Sequence, residues 1–145
     1  MSTRIVVGID GGGPRNRAVS FARKLASLVG ECELILVHVI EWSPFSFQTP
    51  EENAERHKRR EEEIEEALAS VVAPAVKALQ DDGITARGTV GHGRVSEVLD
   101  RVAVDEEAFQ IVIARSSHEN LAEKVFGSSA ENLVRNANVP VTVVG

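Results

Sequence analysis

The chain has 145 residues, the usual length of one domain, and its hydrophobic fraction of 43% is enough to fill a single core. Its formal net charge of −6 argues against general binding to nucleic acid or to an anionic membrane surface, because both require a basic face. No apolar run approaches the roughly 20 residues of a membrane-spanning helix. Cys32 has no second cysteine to pair with. We therefore expect a cytoplasmic protein with one domain over residues 1–145.

Strand-like and helix-like apolar patterns alternate along the chain. Short β-branched or apolar runs predict five strands, at residues 4–9, 34–40, 84–90, 109–114 and 139–144. Pro14 suits the first turn of a helix that follows the first strand. The apolar positions expected on that helix are Ala18, Phe21, Ala22, Leu25 and Leu28.

A strongly charged segment, from Glu51 to about Asp82, separates the second and third predicted strands. In its first half, opposite charges recur at helical i,i+4 spacing, which favours a solvated helix face over a docking surface. In its second half, Pro74 is expected to kink or divide the helix. The apolar stripe of that half comprises Ile64, Leu68, Val71, Ala75 and Leu79.

The alternation of five strands with helices predicts an α/β fold. Its sheet is expected to be parallel with helices on both faces, because parallel strands need right-handed crossovers. Ligands of such sheets bind beyond the carboxyl ends of the strands. The loops that could hold a ligand are therefore residues 10–14, the segment from Glu41 onward, residues 91–94 and residues 115–129.

The first of these loops reads Asp10-Gly11-Gly12-Gly13-Pro14. Its glycines could let a ligand approach the backbone, the following helix N-terminus favours phosphate, and Asp10 could accept hydrogen bonds from a base or ribose. A tight turn capped by Asp10 explains the same residues, so both interpretations stay open. A dinucleotide fingerprint is absent, because Asn16 stands where its third glycine belongs.

The fourth loop ends in Ser128-Ser129-Ala130-Glu131, which matches a capping box with Ser128 as N-cap. That motif alone would start a helix without any ligand. The functional interpretation adds the Ser128 and Ser129 hydroxyls, the free N–H groups of the helix, and Arg115 as a phosphate partner.

Motifs in several parts of the chain have the order and spacing of one known family. VGIDG at 7–11 ends the first predicted strand, and VHV at 37–39 ends the second. Gly127-Ser128 is followed by Glu131 and then by the VPVTVV strand. On these residues the chain resembles the universal stress protein family over nearly its whole length.

The resemblance implies an adenine-nucleotide alpha-hydrolase-like fold with strand order 3-2-1-4-5. It also implies a homodimer, formed by antiparallel pairing of the closing strand from Val139 to Val144 with its mate across a two-fold axis. An unpaired hydrophobic strand at that edge would be a liability.

The resemblance further implies an adenine nucleotide site. Carried over by position, Asp10 and the backbone of Val39 hold the adenine and ribose, and Gly127, Ser128 and Ser129 hold the phosphates. Departures from the family pattern affect the phosphate contacts: two loop glycines fall on Ala114 and Ser117, Gly12 replaces a common serine, and Ala130 replaces a hydroxyl residue. The candidate site residues are Asp10, Gly11, Gly12, Val39, Gly91, Ala114, Arg115, Ser117, Gly127, Ser128 and Ser129.

Two functions remain. One is a non-enzymatic regulatory or protective stress homodimer with a degenerate nucleotide cleft, which the Ala114 and Ser117 replacements favour. The alternative is an ATP- or AMP-binding stress module with nucleotide-dependent switching or slow hydrolysis. Two alternatives for the cofactor are expected equally: ATP or AMP, with or without magnesium, or no cofactor at all. Neither a positioned nucleophile with its base nor a metal-ligand cluster is predicted.

Overall fold

A computed structural model describes residues 2–10, 16–41, 50–115 and 127–145. Within these ranges, strands and helices alternate as the sequence predicts. A π-helical turn, Leu68–Val72, joins the second and third helices. The elements in chain order are β1 Thr3–Ile9, α1 Arg17–Val29, β2 Cys32–Ile40, α2 Pro50–Ala67, α3 Ala73–Asp81, β3 Thr85–His92, α4 Val95–Asp105, β4 Gln110–Ala114, α5 Gly127–Asn136 and β5 Val141–Val144.

The strands form one sheet of order β3-β2-β1-β4-β5, and every neighbouring pair is parallel. The predicted sheet and its order 3-2-1-4-5 are confirmed. The chain winds outward from β1 through β2 to β3, and then continues on the other side of β1 with β4 and β5. The strand order therefore reverses between β1 and β4, which is where sheets of this type open a crevice for ligands.

Helices cover both faces of the sheet. On one face, α1, the π turn and α3 pack against a cluster that includes Ile5, Val7, Leu34 and Leu36. On the other face, α4 and α5 pack against a cluster that includes Val6, Ile35, Val37 and Ile111. Residues 34–37 of β2 have almost no exposed surface, as a strand between two helical layers requires.

Helix α1 is positioned by its small residues. Its buried side chains are Ala18, Val19, Ala22 and Ala26, whereas Leu28 is 82% exposed and Phe21 is 37% exposed. The expectation that Leu28 belongs to the core stripe is therefore wrong. Alanine at the contact positions lets the helix axis approach the sheet closely. Leu25 packs partly buried against this core, whereas Leu28 lies outside the contact face.

Pro74 does divide the charged helix, as predicted. It lies in the first turn of α3, directly after the π turn. The Ala73 N–H donates to Leu68 O, five residues back. Since proline has no N–H and its ring displaces the preceding turn, this widened turn is where the backbone accommodates it.

Some element boundaries differ from the predictions. Strand β2 begins at Cys32, and β3 continues through Gly91 and His92, although the sequence pattern predicts a turn there. Strand β5 begins at Val141, because Pro140 has no N–H to donate, although its carbonyl accepts from the Ile111 N–H at 2.9 Å. In the ranges that the structure describes, no helix has both the length and the apolar character needed to cross a membrane.

Candidate functional site

A cleft of about 520 Å³ opens at the carboxyl ends of β1, β2 and β4. Its volume lies within the range of small-molecule sites in proteins. The described polar side chains along it are Asp10, Asn16, His38, Glu41 and Ser129. The apolar lining includes Val37, Val39, Val95, Leu99, Ile113 and Ala114.

The Asp10 carboxylate is held from one side by Asn16. The Asn16 amide Nδ2 donates to Asp10 Oδ1 at 2.8 Å. Asn16 is buried, at 7% exposure, and its Oδ1 accepts from the N–H groups of Ala18 at 2.8 Å and Val19 at 3.3 Å. Asn16 is therefore the N-cap of α1. The tight turn that Asp10 could cap lies outside the described residues. The role expected for Pro14 lies outside the described residues.

His38 holds the backbone just before Asp10. Its Nδ1 lies 3.0 Å from Ile9 O, and the two residues are register partners on neighbouring strands. A carbonyl oxygen can only accept, so Nδ1 carries the hydrogen in this bond. The bond orients the imidazole along the cleft wall and leaves Nε2 for another partner.

The floor of the cleft is apolar and closely packed. A Cβ on Gly8 would lie 2.9 Å from Leu99 Cδ1 and 3.0 Å from Ile113 Cγ2. Only glycine lets α4 and β4 approach β1 this closely. The cleft thus combines an apolar surface with a polar rim at Asp10, an arrangement that suits a ring system with hydrogen-bonding edges.

The structure brings four of the predicted site residues to the cleft: Asp10, Val39, Ala114 and Ser129 line it. Gly11, Gly12 and Ser117 lie outside the described residues. Gly127 and Ser128 are described by their backbone alone, in the first turn of α5.

Two predicted residues have other surroundings. Gly91 pairs with Val39 in the sheet, and a Cβ on it would lie 2.5 Å from Val98 Cγ1, so it permits the packing of α4. Arg115 is turned toward the end of β5, where its Nη2 would lie 3.1 Å from a Cβ on Gly145. Neither residue lines the cleft.

Helix α5 directs its first turn at the cleft. The helix begins at Gly127. The predicted capping box depends on the Ser128 side chain, which lies outside the described part of the structure, so it stays a prediction. Ser129 and Ala130 reach the cleft lining, and the first-turn N–H groups of a helix have no partner within the helix.

Sequence reasoning missed Asn16 and His38 as lining residues, and it named Glu41 only as the start of a loop that could hold a ligand. Asparagine directly before a helical apolar pattern is an N-cap signal, and it could have identified Asn16. His92 lies nearby at the end of β3, where burial and the charge of Arg60 lower its pKa while Glu63 opposes them. Among the residues that the structure describes, no group of three His, Cys, Asp or Glu side chains could hold a metal ion.

Solved structures share this fold. A universal stress protein from Archaeoglobus fulgidus is 21% identical with a TM-score of 0.69, and each chain is covered to 100%. A universal stress protein from the same organism in complex with dAMP is 21% identical with a TM-score of 0.64, covering 99% of this chain and 98% of the other. Another universal stress protein, in complex with cAMP, is 20% identical with a TM-score of 0.63, covering 99% and 96%.

No curated protein sequence matches the chain significantly. The sequence model of the universal stress protein family, by contrast, matches residues 1–145. The parallel sheet, its strand order and the motifs at Asp10, Val39 and Gly127 agree with that match. The chain belongs to the universal stress protein family.

Proposed function

We propose that this chain is a non-enzymatic regulatory or protective module of the universal stress type, and that its cleft binds an adenine nucleotide. The observation that carries the proposal is the Asp10 carboxylate, which Asn16 holds at 2.8 Å on the rim of a cleft of about 520 Å³. The cleft opens beside the point where the strand order reverses, the usual ligand position in such sheets.

The lining matches the parts of a nucleotide. Apolar side chains of Val37, Leu99 and Ile113 offer a surface for a base, and Asp10 Oδ2 remains as an acceptor for ribose or base N–H groups. The Ser129 hydroxyl and the first-turn N–H groups of α5 would receive phosphate. Two universal stress proteins of the same fold are known in complex with dAMP and cAMP, which supports an adenine ligand here.

We assign binding and not catalysis to this cleft. Ser129 is the described hydroxyl in the lining, and no hydrogen bond in the described part of the chain joins it to a base. A hydroxyl needs such a base to act as a nucleophile. Magnesium would enter with the phosphates of the nucleotide, since metal-ligand clusters are lacking among the described residues.

Calorimetric titration with AMP, ADP and ATP, each with and without magnesium, tests the proposal. We expect saturable binding with a dissociation constant below about 1 mM. Asp10→Ala should weaken it by about tenfold or more, because a hydrogen bond to a charged group is lost. Asp105→Ala, at the exposed carboxyl end of α4, removes the same charge and should bind like the wild type. Absence of binding at millimolar nucleotide contradicts the proposal.

A second candidate is a stress protein that acts through a partner without any nucleotide. Ala114 favours it, because a Cβ stands in the cleft lining where the family pattern has a glycine. If the site has decayed, the wild type should not bind nucleotide, and the double variant Ala114→Gly, Ser117→Gly should gain binding. A wild type that binds, or a double variant that gains nothing, counts against this candidate.

We also propose that the chain acts as a cytoplasmic homodimer through β5. The carbonyls of Pro140 and Val144 accept from β4, at Ile111 and Arg115, so the backbone groups of alternate residues face β4. The backbone N–H and C=O groups of Val141 and Val143 therefore point outward from the sheet edge. Val143 is also 37% exposed, and an unpaired apolar edge of this kind favours pairing with a second copy. The buried free thiol of Cys32 is consistent with a reducing compartment.

A further inference from the structure

Asn16 connects the start of α1 with the rim of the cleft. We propose that Asn16 is a positioning residue, which holds the Asp10 carboxylate in the orientation that receives the ligand before the ligand arrives. The proposal rests on the nucleotide-binding function proposed above and deepens it. It also gives a role to the amide group of this buried side chain, which helix capping alone does not explain.

Capping uses only one end of the Asn16 side chain. Its Oδ1 accepts from the N–H groups of Ala18 and Val19, and an oxygen of Ser, Thr or Asp would cap the helix as well. Its Nδ2 is not needed for that purpose, yet it donates to Asp10 Oδ1 at 2.8 Å. Asn16 is 7% exposed, so burial fixes the direction in which this amide points.

Asp10 itself is exposed, and an exposed carboxylate would otherwise occupy several χ1 rotamers. The Asn16 bond selects one of them. On the preceding residue, His38 Nδ1 donates to Ile9 O at 3.0 Å and fixes the peptide that leads into Asp10. Both the backbone and the side chain of Asp10 are therefore oriented in the unliganded chain, which lowers the entropy lost on binding.

Asn16→Asp separates positioning from capping. The substitution keeps the shape of the side chain and the capping oxygen, and it replaces the donor to Asp10 with a second carboxylate. Near neutral pH, two ionised carboxylates at this distance repel each other, so Asp10 should turn away. At acidic pH one shared proton would restore the hydrogen bond.

The experiment is a nucleotide titration from pH about 7.5 to about 4.5 for the wild type, Asn16→Asp and Asn132→Asp. Near neutral pH we expect Asn16→Asp to bind AMP about tenfold more weakly than the wild type, and we expect the gap to close toward acidic pH. The control Asn132→Asp makes the same charge change at an exposed position of α5. Its affinity for AMP should equal that of the wild type at every pH. His38 and Glu41 also line the cleft, and both are present in all three proteins, so the comparison isolates the change at residue 16.

A second readout needs no ligand. Three-bond couplings from the Asp10 backbone to its Cγ should report one χ1 rotamer in the wild type and averaging in Asn16→Asp. Slow hydrogen exchange at Ala18 and Val19 should persist in the variant, since the cap is retained. An Asp10 that keeps one rotamer in Asn16→Asp overturns the positioning role, and so does wild-type affinity of that variant at neutral pH. A wild type that binds no nucleotide overturns the proposed function instead, while the couplings still decide whether Asn16 holds Asp10.

Discussion

The Arg87 guanidinium on β3 donates to the carboxylate of Glu106, just beyond α4, at 2.5 Å. It also contacts Glu33 on β2 at 3.2 Å, and Arg4 on β1 reaches both carboxylates. This network ties three strands to the end of α4, at the end of the sheet opposite the cleft. The hydrogen bond from Arg87 holds the pKa of Glu106 below its ordinary value, and the bond to Glu106 raises the pKa of Arg87.

The contribution of Glu106 to stability should depend on pH. Because folding lowers the pKa of this carboxyl, the contribution is present above the unfolded-state pKa and is lost as the pH falls through the folded-state value. Denaturant unfolding should show Glu106→Gln less stable than the wild type near neutral pH, with the difference shrinking as the pH falls below the ordinary Glu pKa of about 4.3. The neighbouring Glu107→Gln makes the same charge change without the Arg87 bond. If the free energy of unfolding of Glu106→Gln differs from that of the wild type by the same amount at every pH, this account is contradicted.

Glu107 occupies a backbone position that favours glycine. Its φ is 54°, and the bonds from Ala108 N to Ala103 O and from Glu107 N to Val104 O form a Schellman motif at the end of α4. We expect Glu107→Gly to stabilise the protein by about 0.5–1 kcal/mol, since it relieves the left-handed conformation. In thermal unfolding this corresponds to a rise of about 1–4 °C.

Glu107→Gln is the matched control for that measurement, because it removes the charge and keeps the Cβ. It should leave the melting temperature close to that of the wild type. Equal melting temperatures for the Gly and Gln variants would show that the backbone conformation at residue 107 carries no cost.

Gly91 should contribute to the stability of the fold and make no direct contact with a ligand. In Gly91→Ala the new Cβ would lie 2.5 Å from Val98 Cγ1, so α4 has to shift, and overpacking of this kind costs about 1–3 kcal/mol. Adding Val98→Ala removes the clashing methyl, so the double variant should lose less stability than the two single losses combined. Denaturant unfolding of all four proteins measures this coupling, and strict additivity would refute the packing role of Gly91.

The edge strand can be tested without disturbing the sheet. Val143→Pro removes a backbone N–H that points away from β4, so the β4–β5 ladder should survive while edge-to-edge pairing is lost. We expect light scattering to report a dimer for the wild type and a monomer for Val143→Pro. Val143→Thr keeps the N–H and should remain dimeric. A monomeric wild type, or a proline variant that stays dimeric with unchanged affinity, argues against β5 as the interface.

The layout of the sheet was predictable from the sequence, because each strand is a short apolar run and each crossover carries a helical period. The family motifs supplied the strand order. Details that depend on close packing were not predictable: Leu28 has the right spacing for the α1 stripe, yet Ala22 and Ala26 take the contact. Pro74 predicted an interruption of the charged helix, but the apolar pattern does not encode the π turn by which the backbone accommodates the proline.

The candidate site was predictable in part. Asp10 and Val39 could be named because they end strands at the sheet edge where ligands bind, and both line the cleft. Asn16 was overlooked because Gly13 and Pro14 suggested that the helix begins earlier, with Pro14 in its first turn. Arg115 was expected to face the cleft from its place after β4, but side-chain direction beyond the end of a strand does not follow from the sequence.

The central claim is that the cleft beside Asp10 binds an adenine nucleotide. Its most direct test is to titrate ¹⁵N-labelled protein with AMP and to map the changes in amide chemical shift. We predict saturable shifts centred on Asp10, Val39 and Ser129, which line the cleft from three different elements. Shifts centred on the groove between α4 and α5, around Asp100 and Asn136, or no shifts at millimolar AMP, would contradict the account.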